Sequence, residues 1–433
     1  MKSKGYGAIR EQVYSDRLPN GMPVFVVKKS GFYKSYAFFA TDYGGADRRF
    51  KYGGEWIDTP EGVAHFLEHK MFDTEDGNAL VTLSANGAQP NAFTSGGITA
   101  YHFESTEKFE ENLKILLEFV SVPYFTEESV KKEQGIIGQE IRMSEDDPDY
   151  AVYYGLMKLL FRSNPARDSV AGTIESIAEI TGETLYRCHK IFYNPSNMCL
   201  VVAGDVEPES VFGIAKKVLT APRGAVPERD YGEPESRAPA GVRAEAKMEV
   251  SEPQFMLGAS AGWPERGETR LRCELTGGLA AELIAGESSP LYIRLYSEGL
   301  IKSDFTGVFE SVAGIAYTLF GGSSPNPDRV LAEIKDEIRR VLSPQARVGA
   351  EALLDRVKKA EYGCRIRSLD SFPRVCSGAA EACFGGYDFF AAADILRGIT
   401  AAEVFDFISE NMKPENFALS VVSPGTAKPA PGL

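Results

Sequence analysis

The sequence predicts an α/β fold of two homologous domains, and three observations indicate it. The chain has 433 residues, 43% of them hydrophobic, which is enough to bury two cores. Stretches rich in Val, Phe and Tyr alternate with stretches of helical periodicity. Thr181 and Thr400 differ by 219 positions, as do Asn197 and Asn416 in similar surroundings. Two copies of one α/β unit are the simplest explanation of that constant offset.

The elements of the first half follow from local pattern. Runs of Val, Phe and Tyr bounded by Gly or Asn-Gly predict strands, and apolar residues at helical spacing predict amphipathic helices. The predicted strands are residues 22–28, 35–43, part of 91–104 and 197–204, and the predicted helices are 109–120, 150–161 and one or two within 174–192.

A further helix is predicted between Thr59 and Gly77. Thr59 has the side chain of an N-cap, and Pro60 suits the first helical position. Gly77 is typical of a helix C-terminus and is predicted to end this helix.

This helix carries the stretch around which the chain is organised, His65-Phe66-Leu67-Glu68-His69. The two histidines stand four residues apart, so both imidazoles lie on one face of the helix. Glu68 precedes the second histidine, an order found in one class of zinc peptidase signatures. Two imidazoles would supply two of the three protein ligands of a catalytic zinc, whose fourth position holds water of lowered pKa.

Glu68 is placed to take a proton from that water and to pass it to the leaving amine. The alternative is that His65 and His69 are ordinary polar residues of an amphipathic helix. The chain has four histidines, and in so His-poor a sequence the full five-residue pattern rarely arises by accident. We therefore predict a zinc site.

A third ligand is predicted in a helix over residues 126–143. Thr126 is its expected N-cap, and the run at 146–148, Asp-Asp-Pro, ends it. Glu133 and Glu140 lie two turns apart on one face, so both carboxylates can point to the same place. One could bind zinc while the other holds a histidine N–H, and spacing alone leaves open which does which. The alternative is two solvated glutamates on a surface helix.

A stretch rich in Pro, Gly and charge at residues 221–243 predicts a linker. It divides the chain into a zinc-bearing domain at 1–220 and a homologous domain at 244–433. All histidines lie in the first domain, and position 284, which is 219 residues after His65, is Ile. We expect the second copy to act as wall and scaffold.

These residues resemble the insulysin/pitrilysin family of zinc metallopeptidases, in its single-length bacterial type and closest to the YfmH-like subgroup. The resemblance implies two domains, each a mainly antiparallel sheet flanked by helices. It implies that His65, His69 and Glu140 are the zinc ligands, that Glu68 is the general base and that Glu133 is a supporting carboxylate. The segments that carry the subgroup likeness are residues 64–72, 91–95, 123–126 and 135–141.

The resemblance also implies where a substrate would lie. Asn91 and Ala92, with the adjoining Phe93, would belong to an edge strand to which the peptide adds as a further strand. The alternative is a plain structural strand.

Full-length members of the family hold the substrate with an Arg and a Tyr in the half that lacks zinc. Here those positions are Tyr296 and Lys302, and Arg294 nearby is interpreted as a surface charge. A second subunit, either this chain or an inactive relative, is therefore expected to supply the pair and to enclose the peptide.

Composition limits the partners. The net charge of −14 argues against nucleic acid, and no stretch has the character of a signal peptide or a membrane span, so a cytoplasmic protein is expected. The six cysteines have no metal spacing and are predicted to be free thiols. His102 and His189 are predicted to be structural.

The function predicted from the sequence is zinc-dependent endopeptidase activity on unfolded peptides or on a specific protein segment, with zinc-bound water as the nucleophile. The alternative is a non-catalytic or maturation-complex subunit of the same fold. The complete motif favours the enzyme.

Overall fold

The computed structural model describes residues 1–7, 9–264 and 266–425. The end of the second predicted domain, 426–433, lies outside the described residues. Two compact units make up the chain, and neither is one continuous segment. Unit 1 holds residues 1–141, 169–231 and 365–391, and unit 2 holds 142–168, 232–364 and the described residues from 392 onward. This division does not test the boundaries predicted at 220 and 244, which stay a prediction.

The strands of the described residues form four sheets and are numbered in chain order. They are β1 (Lys2–Tyr6), β2 (Glu11–Arg17), β3 (Pro23–Lys28), β4 (Ser35–Thr41), β5 (Arg49–Tyr52), β6 (Glu55–Asp58), β7 (Asp73–Thr74), β8 (Gly77–Asn78), β9 (Gln89–Thr94), β10 (Thr99–Ser105), β11 (Met198–Gly204), β12 (Glu228–Asp230), β13 (Arg243–Met248), β14 (Gln254–Ala261), β15 (Thr306–Val312), β16 (Ile315–Ser323) and β17 (Ala418–Pro424).

The α-helices are numbered in the same way. They are α1 (Val63–Lys70), α2 (Ala79–Ala85), α3 (Phe109–Ser121), α4 (Glu127–Glu145), α5 (Pro148–Leu160), α6 (Ile174–Ala178), α7 (Gly182–Phe192), α8 (Pro208–Val218), α9 (Glu268–Ala285), α10 (Pro290–Ser297), α11 (Pro327–Leu342), α12 (Arg347–Ser368), α13 (Phe372–Gly385), α14 (Ala392–Gly398) and α15 (Ala401–Asn411).

Unit 1 is built on a seven-stranded sheet with the order β1-β2-β3-β11-β4-β10-β9. All neighbours run antiparallel except β11 and β3, which are parallel. Strands β4 and β11 are buried along their whole length. Burial on both faces explains why their sequences are almost continuously hydrophobic. Strand β9 lies at one edge of the sheet.

Unit 2 repeats this arrangement in a five-stranded sheet with the order β13-β17-β14-β16-β15. The only parallel neighbours in this sheet, among the residues that the structure describes, are β13 and β17, which occupy the places of β3 and β11. The predicted fold class, two homologous α/β domains with mainly antiparallel sheets, is confirmed.

Each half of the sequence contributes one helix to the unit that is formed mainly by the other half. Helix α13 packs against β4 and β11 of unit 1, with Phe372 and Val375 in a core shared with Phe38 and Val201. Helix α5 packs against the sheet of unit 2. This exchange is the reason that neither unit is one continuous segment.

Part of the predicted linker is a strand. Residues 228–230 of the predicted linker form β12, which pairs with β5 in a small three-stranded sheet.

Within the described ranges, no helix has the length and apolar character that crossing a membrane requires.

Candidate metal centre

Helix α1 presents the two motif histidines on one face. Their ring centroids lie 4.6 Å apart. His65 and Glu68 are both 8% exposed, so the motif is buried against the core of unit 1. The four-residue spacing therefore produces the shared face that the sequence predicts.

The predicted start of this helix is wrong. Helix α1 begins after Gly62, whose φ of 92° is left-handed, and not at Thr59 and Pro60. Thr59 instead donates its backbone N–H and its hydroxyl to the carbonyl of Arg48. A Cβ at Gly62 would lie 2.5 Å from the carbonyl oxygen of Ala171, so both its backbone conformation and its packing require glycine.

The predicted end of the helix is also wrong. Helix α1 ends at Lys70, with Met71 as its C-cap. Gly77 lies further on, in the short strand β8. The chain between them forms a hairpin of β7 and β8 rather than continued helix.

Helix α4 supplies the two predicted glutamates. Thr126 is its N-cap, because its hydroxyl accepts from the backbone N–H of Ser129 at 3.1 Å. Ile137, which is fully buried, lies between Glu133 and Glu140 and anchors that face of the helix in the core. Both carboxylates therefore face helix α1.

The two helices bring three donor groups together. His65 Nε2 lies 3.5 Å from Glu140 Oε1, and His69 Nε2 lies 3.5 Å from Glu140 Oε2. One ligand atom from each of these residues lies within 4.8 Å of the others, so the group could hold a metal ion. Two imidazoles and one carboxylate are the donor set of a catalytic zinc site, and the residues therefore fit that metal.

Glu133 lies beside His69, where the supporting carboxylate is predicted. Its Oε1 lies 3.0 Å from Nδ1 of His69, on the side of the ring opposite Nε2. A metal-binding histidine commonly donates its other N–H to such a carboxylate. The two glutamates therefore contact different nitrogens of His69, and their roles in metal binding stay a prediction.

Burial and neighbouring groups shift the pKa values of the side chains in this cluster. Burial raises the pKa of Glu68, although the nearby histidines oppose the shift. The hydrogen bond to His65 lowers the pKa of Glu140. Burial alone would lower the pKa of His69, but the hydrogen bond to Glu133 and the charge of Glu68 outweigh it and raise that pKa.

Comparison with known proteins agrees with this geometry. Residues 53–174 match the insulinase family (peptidase family M16), and residues 179–360 match the peptidase M16 inactive domain. The uncharacterized zinc protease YmfH of Bacillus subtilis (strain 168) is 36% identical over 98% of this chain and 99% of its own length. The chain belongs to the insulinase family of peptidases. The predicted family is confirmed.

Other members of the insulinase family support the same conclusion. The uncharacterized zinc protease YmxG of the same organism is 25% identical, over 87% of this chain and 94% of its own. The crystal structure of a putative M16-like peptidase from Alicyclobacillus acidocaldarius superposes with a TM-score of 0.91 and 30% identity, covering 96% of this chain and 99% of that one. The relatives named zinc proteases, together with the donor set, support the predicted zinc cofactor.

In this insulinase-family fold, strand β9 lies at the edge of the sheet and also contacts the metal centre. The hydroxyl of Thr94 donates to Glu68 Oε2 at 3.1 Å. Sequence reasoning did not single out Thr94. Strand alternation was the signal that could have found it, because Ala92 and Thr94 share one face of β9.

The three residues predicted to bind substrate all lie on β9. Ala92 packs toward the core that contains α1. Asn91 and Phe93 point to the other face, where they line a cavity. That β9 is an edge strand is as expected, whereas the substrate-binding role of these residues stays a prediction.

The other predicted residues lie apart from the cluster. His189 is buried and its Nε2 is 3.0 Å from the carbonyl oxygen of Val120, and His102 stacks on Tyr36 and Phe38. Arg294 forms an ion pair with Glu333, as a surface charge would. All six cysteines are free thiols, as predicted.

Proposed function

We propose that this chain is a zinc-dependent endopeptidase that hydrolyses unfolded peptides or one extended protein segment. The observation that carries the proposal is the convergence of His65, His69 and Glu140 beside the buried carboxylate of Glu68. The donor set is that of a catalytic zinc, and a carboxylate next to it has the position of a general base.

Each residue of the cluster has a proposed role. His65, His69 and Glu140 would hold zinc, and Glu133 would fix the orientation of His69. When bound, zinc would polarise the scissile carbonyl and lower the pKa of water in the site.

Glu68 would move the protons. Its Oε2 accepts from Thr94, so Oε1 is the oxygen that would take the proton from the attacking water and give it to the leaving amine. Burial raises the pKa of Glu68 and so makes the carboxylate a better proton acceptor than an exposed one.

The edge strand β9 would hold the substrate. It pairs with β10 on one side, from Gln89 opposite Glu104 to Thr94 opposite Thr99. An extended peptide could add to its other side by main-chain hydrogen bonds, which do not depend on sequence. Asn91, Ala92 and Phe93 would then contact the peptide, and Thr94 would place Glu68 beside it.

A second subunit would complete the site. The positions where the resemblance implies an arginine and a tyrosine hold Tyr296 and Lys302 instead, so this chain lacks the expected pair. Tyr296 is 52% exposed at the end of α10, and Lys302 lies 3.7 Å from Glu252. We propose that this chain works as a dimer with itself or with an inactive relative that supplies that pair. Full activity of the isolated monomer on peptides would contradict this part of the proposal.

The test compares the wild type with Glu68→Gln. We expect one zinc per chain in both proteins, and a loss of about 10²–10⁴-fold in hydrolysis of a quenched unstructured peptide in the variant, the usual contribution of a general acid–base. Glu128→Gln, an exposed glutamate on α4, is the matched control. Equal hydrolysis by Glu68→Gln would overturn the proposed mechanism.

Two other outcomes are informative. Absence of zinc from both proteins would overturn the metal assignment. Zinc in both proteins without hydrolysis in either, with every candidate partner added, would favour the alternative of a non-catalytic or maturation-complex subunit.

A further inference from the structure

Unit 1 contains a cavity of 650 Å³ on the face of its seven-stranded sheet that points away from the metal centre. Thr94 of β9 points to the metal centre, where it donates to Glu68. Successive side chains of a strand point to opposite faces, so Asn91 and Phe93 point the other way. Both line the cavity. The same edge strand therefore borders the metal centre on one face and the cavity on the other.

Aromatic rings form one wall of the cavity. The ring of Phe38 lies 6.0 Å from that of Phe93 and 5.9 Å from that of His102, and the ring of Tyr36 lies 5.3 Å from His102. Burial lowers the pKa of His102 to about 4, so this ring is neutral near neutral pH. This aromatic wall is therefore uncharged near neutral pH.

Helix α13 forms the opposite wall. Pro373 and Ser377 of this helix line the cavity. The helix is held in place by Phe372 and Val375, which are fully buried in the core beneath it. This wall comes from the second half of the sequence, more than 270 positions after β9.

We propose that this cavity is a specificity pocket that takes alternate side chains of a peptide bound along β9 and selects a large apolar or aromatic one. The inference rests on the proposed function, because it needs a peptide paired to the free edge of β9. In a paired strand, the residue opposite Phe93 points to the same face as Phe93. Residues of the peptide therefore alternate between the metal centre and the cavity.

The charged side chains that line the cavity have both signs, Glu104, Arg374 and Glu381, so the preference for an apolar occupant comes from the aromatic wall. Glu104, which borders the cavity, already accepts from Lys34 Nζ at 3.0 Å. Phe93 is 36% exposed, so part of its ring is available for contact with an added side chain. Offset or edge-to-face contact with such rings favours an aromatic partner beyond the area that it buries.

The experiment uses peptides that differ at one position at a time, with Ala, Phe or Lys. Cleavage is measured as kcat/KM with the zinc-loaded wild type and with Phe93→Ala, and binding of the same peptides is measured with the zinc-loaded Glu68→Gln protein with and without Phe93→Ala. We expect the wild type to prefer Phe over Ala by about 10-fold or more at positions spaced by two, the range for filling a hydrophobic pocket. Phe93→Ala should remove that preference and leave the positions between unchanged.

A second variant blocks the cavity without touching β9. Ser377→Trp should reduce the Phe preference at the same positions, because its larger side chain would occupy the cavity. Trp56→Ala is the matched control, since Trp56 is 41% exposed in unit 1 and does not line the cavity. It should leave every preference unchanged.

The outcomes separate this inference from the proposed function. Cleavage without alternation, or a preference for Lys at the alternating positions, would overturn the pocket and leave the peptidase intact. Unchanged preferences in both Phe93→Ala and Ser377→Trp would do the same. Absence of both cleavage and binding of any peptide would overturn the pocket together with the peptidase.

Discussion

Glu133 Oε1 lies 3.0 Å from Nδ1 of His69. On the other side of the ring, Nε2 of His69 lies 3.5 Å from Glu140 Oε2. A carboxylate at Nδ1 commonly accepts the N–H of a metal-binding histidine and leaves Nε2 for the metal. The two carboxylates of α4 therefore act on opposite sides of one ring. Glu133 contacts Nδ1, and Glu140 faces Nε2, the nitrogen that we propose binds the metal.

The first prediction concerns this pair. Glu133→Ala should weaken zinc binding by about 10–100-fold, the usual cost of removing the carboxylate behind a metal-binding histidine. Competition with a chelating dye measures the affinity. Glu128→Ala changes an exposed glutamate on the same helix and should leave the affinity unaltered. Equal zinc affinities of Glu133→Ala and the wild type would contradict the role.

The second prediction concerns Thr94, whose hydroxyl donates to Glu68. Thr94→Val keeps the shape of the side chain and removes that hydrogen bond. A hydrogen bond to a charged group contributes about 1.5–3 kcal/mol, so we expect kcat/KM for peptides to fall by about 10–100-fold. Zinc content should not change, because Thr94 is not one of the three predicted ligands.

The control for this variant is Thr82→Val, an exposed threonine on α2. It should have the activity of the wild type. A Thr94→Val protein with unchanged kcat/KM would show that Glu68 does not need this hydroxyl to hold its position.

Short-range features of the site could be predicted from the sequence. The spacing of His65 and His69, and that of Glu133 and Glu140, is set by the geometry of one helix, so sequence distance translates directly into a shared face. The cap of α4 at Thr126 is equally local. Strands β3, β4, β10 and β11 were predicted for the same reason, whereas β1, β2, β5 and β6 were not.

Long-range features could not be predicted. The start of α1 depends on Gly62, whose conformation is matched to the carbonyl of Ala171, more than a hundred residues away. The exchange of α5 and α13 between the units leaves no local pattern, because each helix is amphipathic whichever sheet it covers. The cavity behind β9 was missed because one of its walls belongs to α13.

The third prediction concerns a buried ion pair. Arg229 of β12 lies 2.9 Å from Asp47, whose side chain is 1% exposed, and 3.1 Å from Asp42. Burial raises the pKa of Asp47 to about 6, and Arg229 opposes that shift. Removing one partner of a buried pair costs about 3–5 kcal/mol, so Arg229→Ala should lower the free energy of unfolding by that amount.

Urea denaturation measures the effect. Arg223→Ala, at an exposed arginine of the same segment, should change the free energy of unfolding by less than about 0.5 kcal/mol, as surface changes do. Adding Asp47→Asn to Arg229→Ala should restore part of the stability, because it removes the uncompensated charge. A double variant less stable than Arg229→Ala would contradict this explanation.

The last prediction concerns His189 and pH. Burial lowers the pKa of this histidine from its ordinary 6.5 to about 4, although a hydrogen bond to Val120 opposes the shift. Above pH 6.5 the ring is neutral in both the folded and the unfolded chain, so its contribution to stability is fully present. As the pH falls below 6.5, only the unfolded chain takes up the proton, and the free energy of unfolding decreases until the pH reaches about 4.

At pH 5 this loss should be about 2 kcal/mol, since each pH unit in that window is worth about 1.4 kcal/mol. His189→Gln keeps an N–H donor for the carbonyl of Val120 and cannot be protonated, so the difference in unfolding free energy between pH 7.5 and pH 5 should be smaller than in the wild type by that amount. Lys190→Gln, an exposed neighbour on α7, should keep the wild-type difference. Identical pH dependences of wild type and His189→Gln would mean that the folded chain accommodates the charged ring, and that the packing around α7 yields to it.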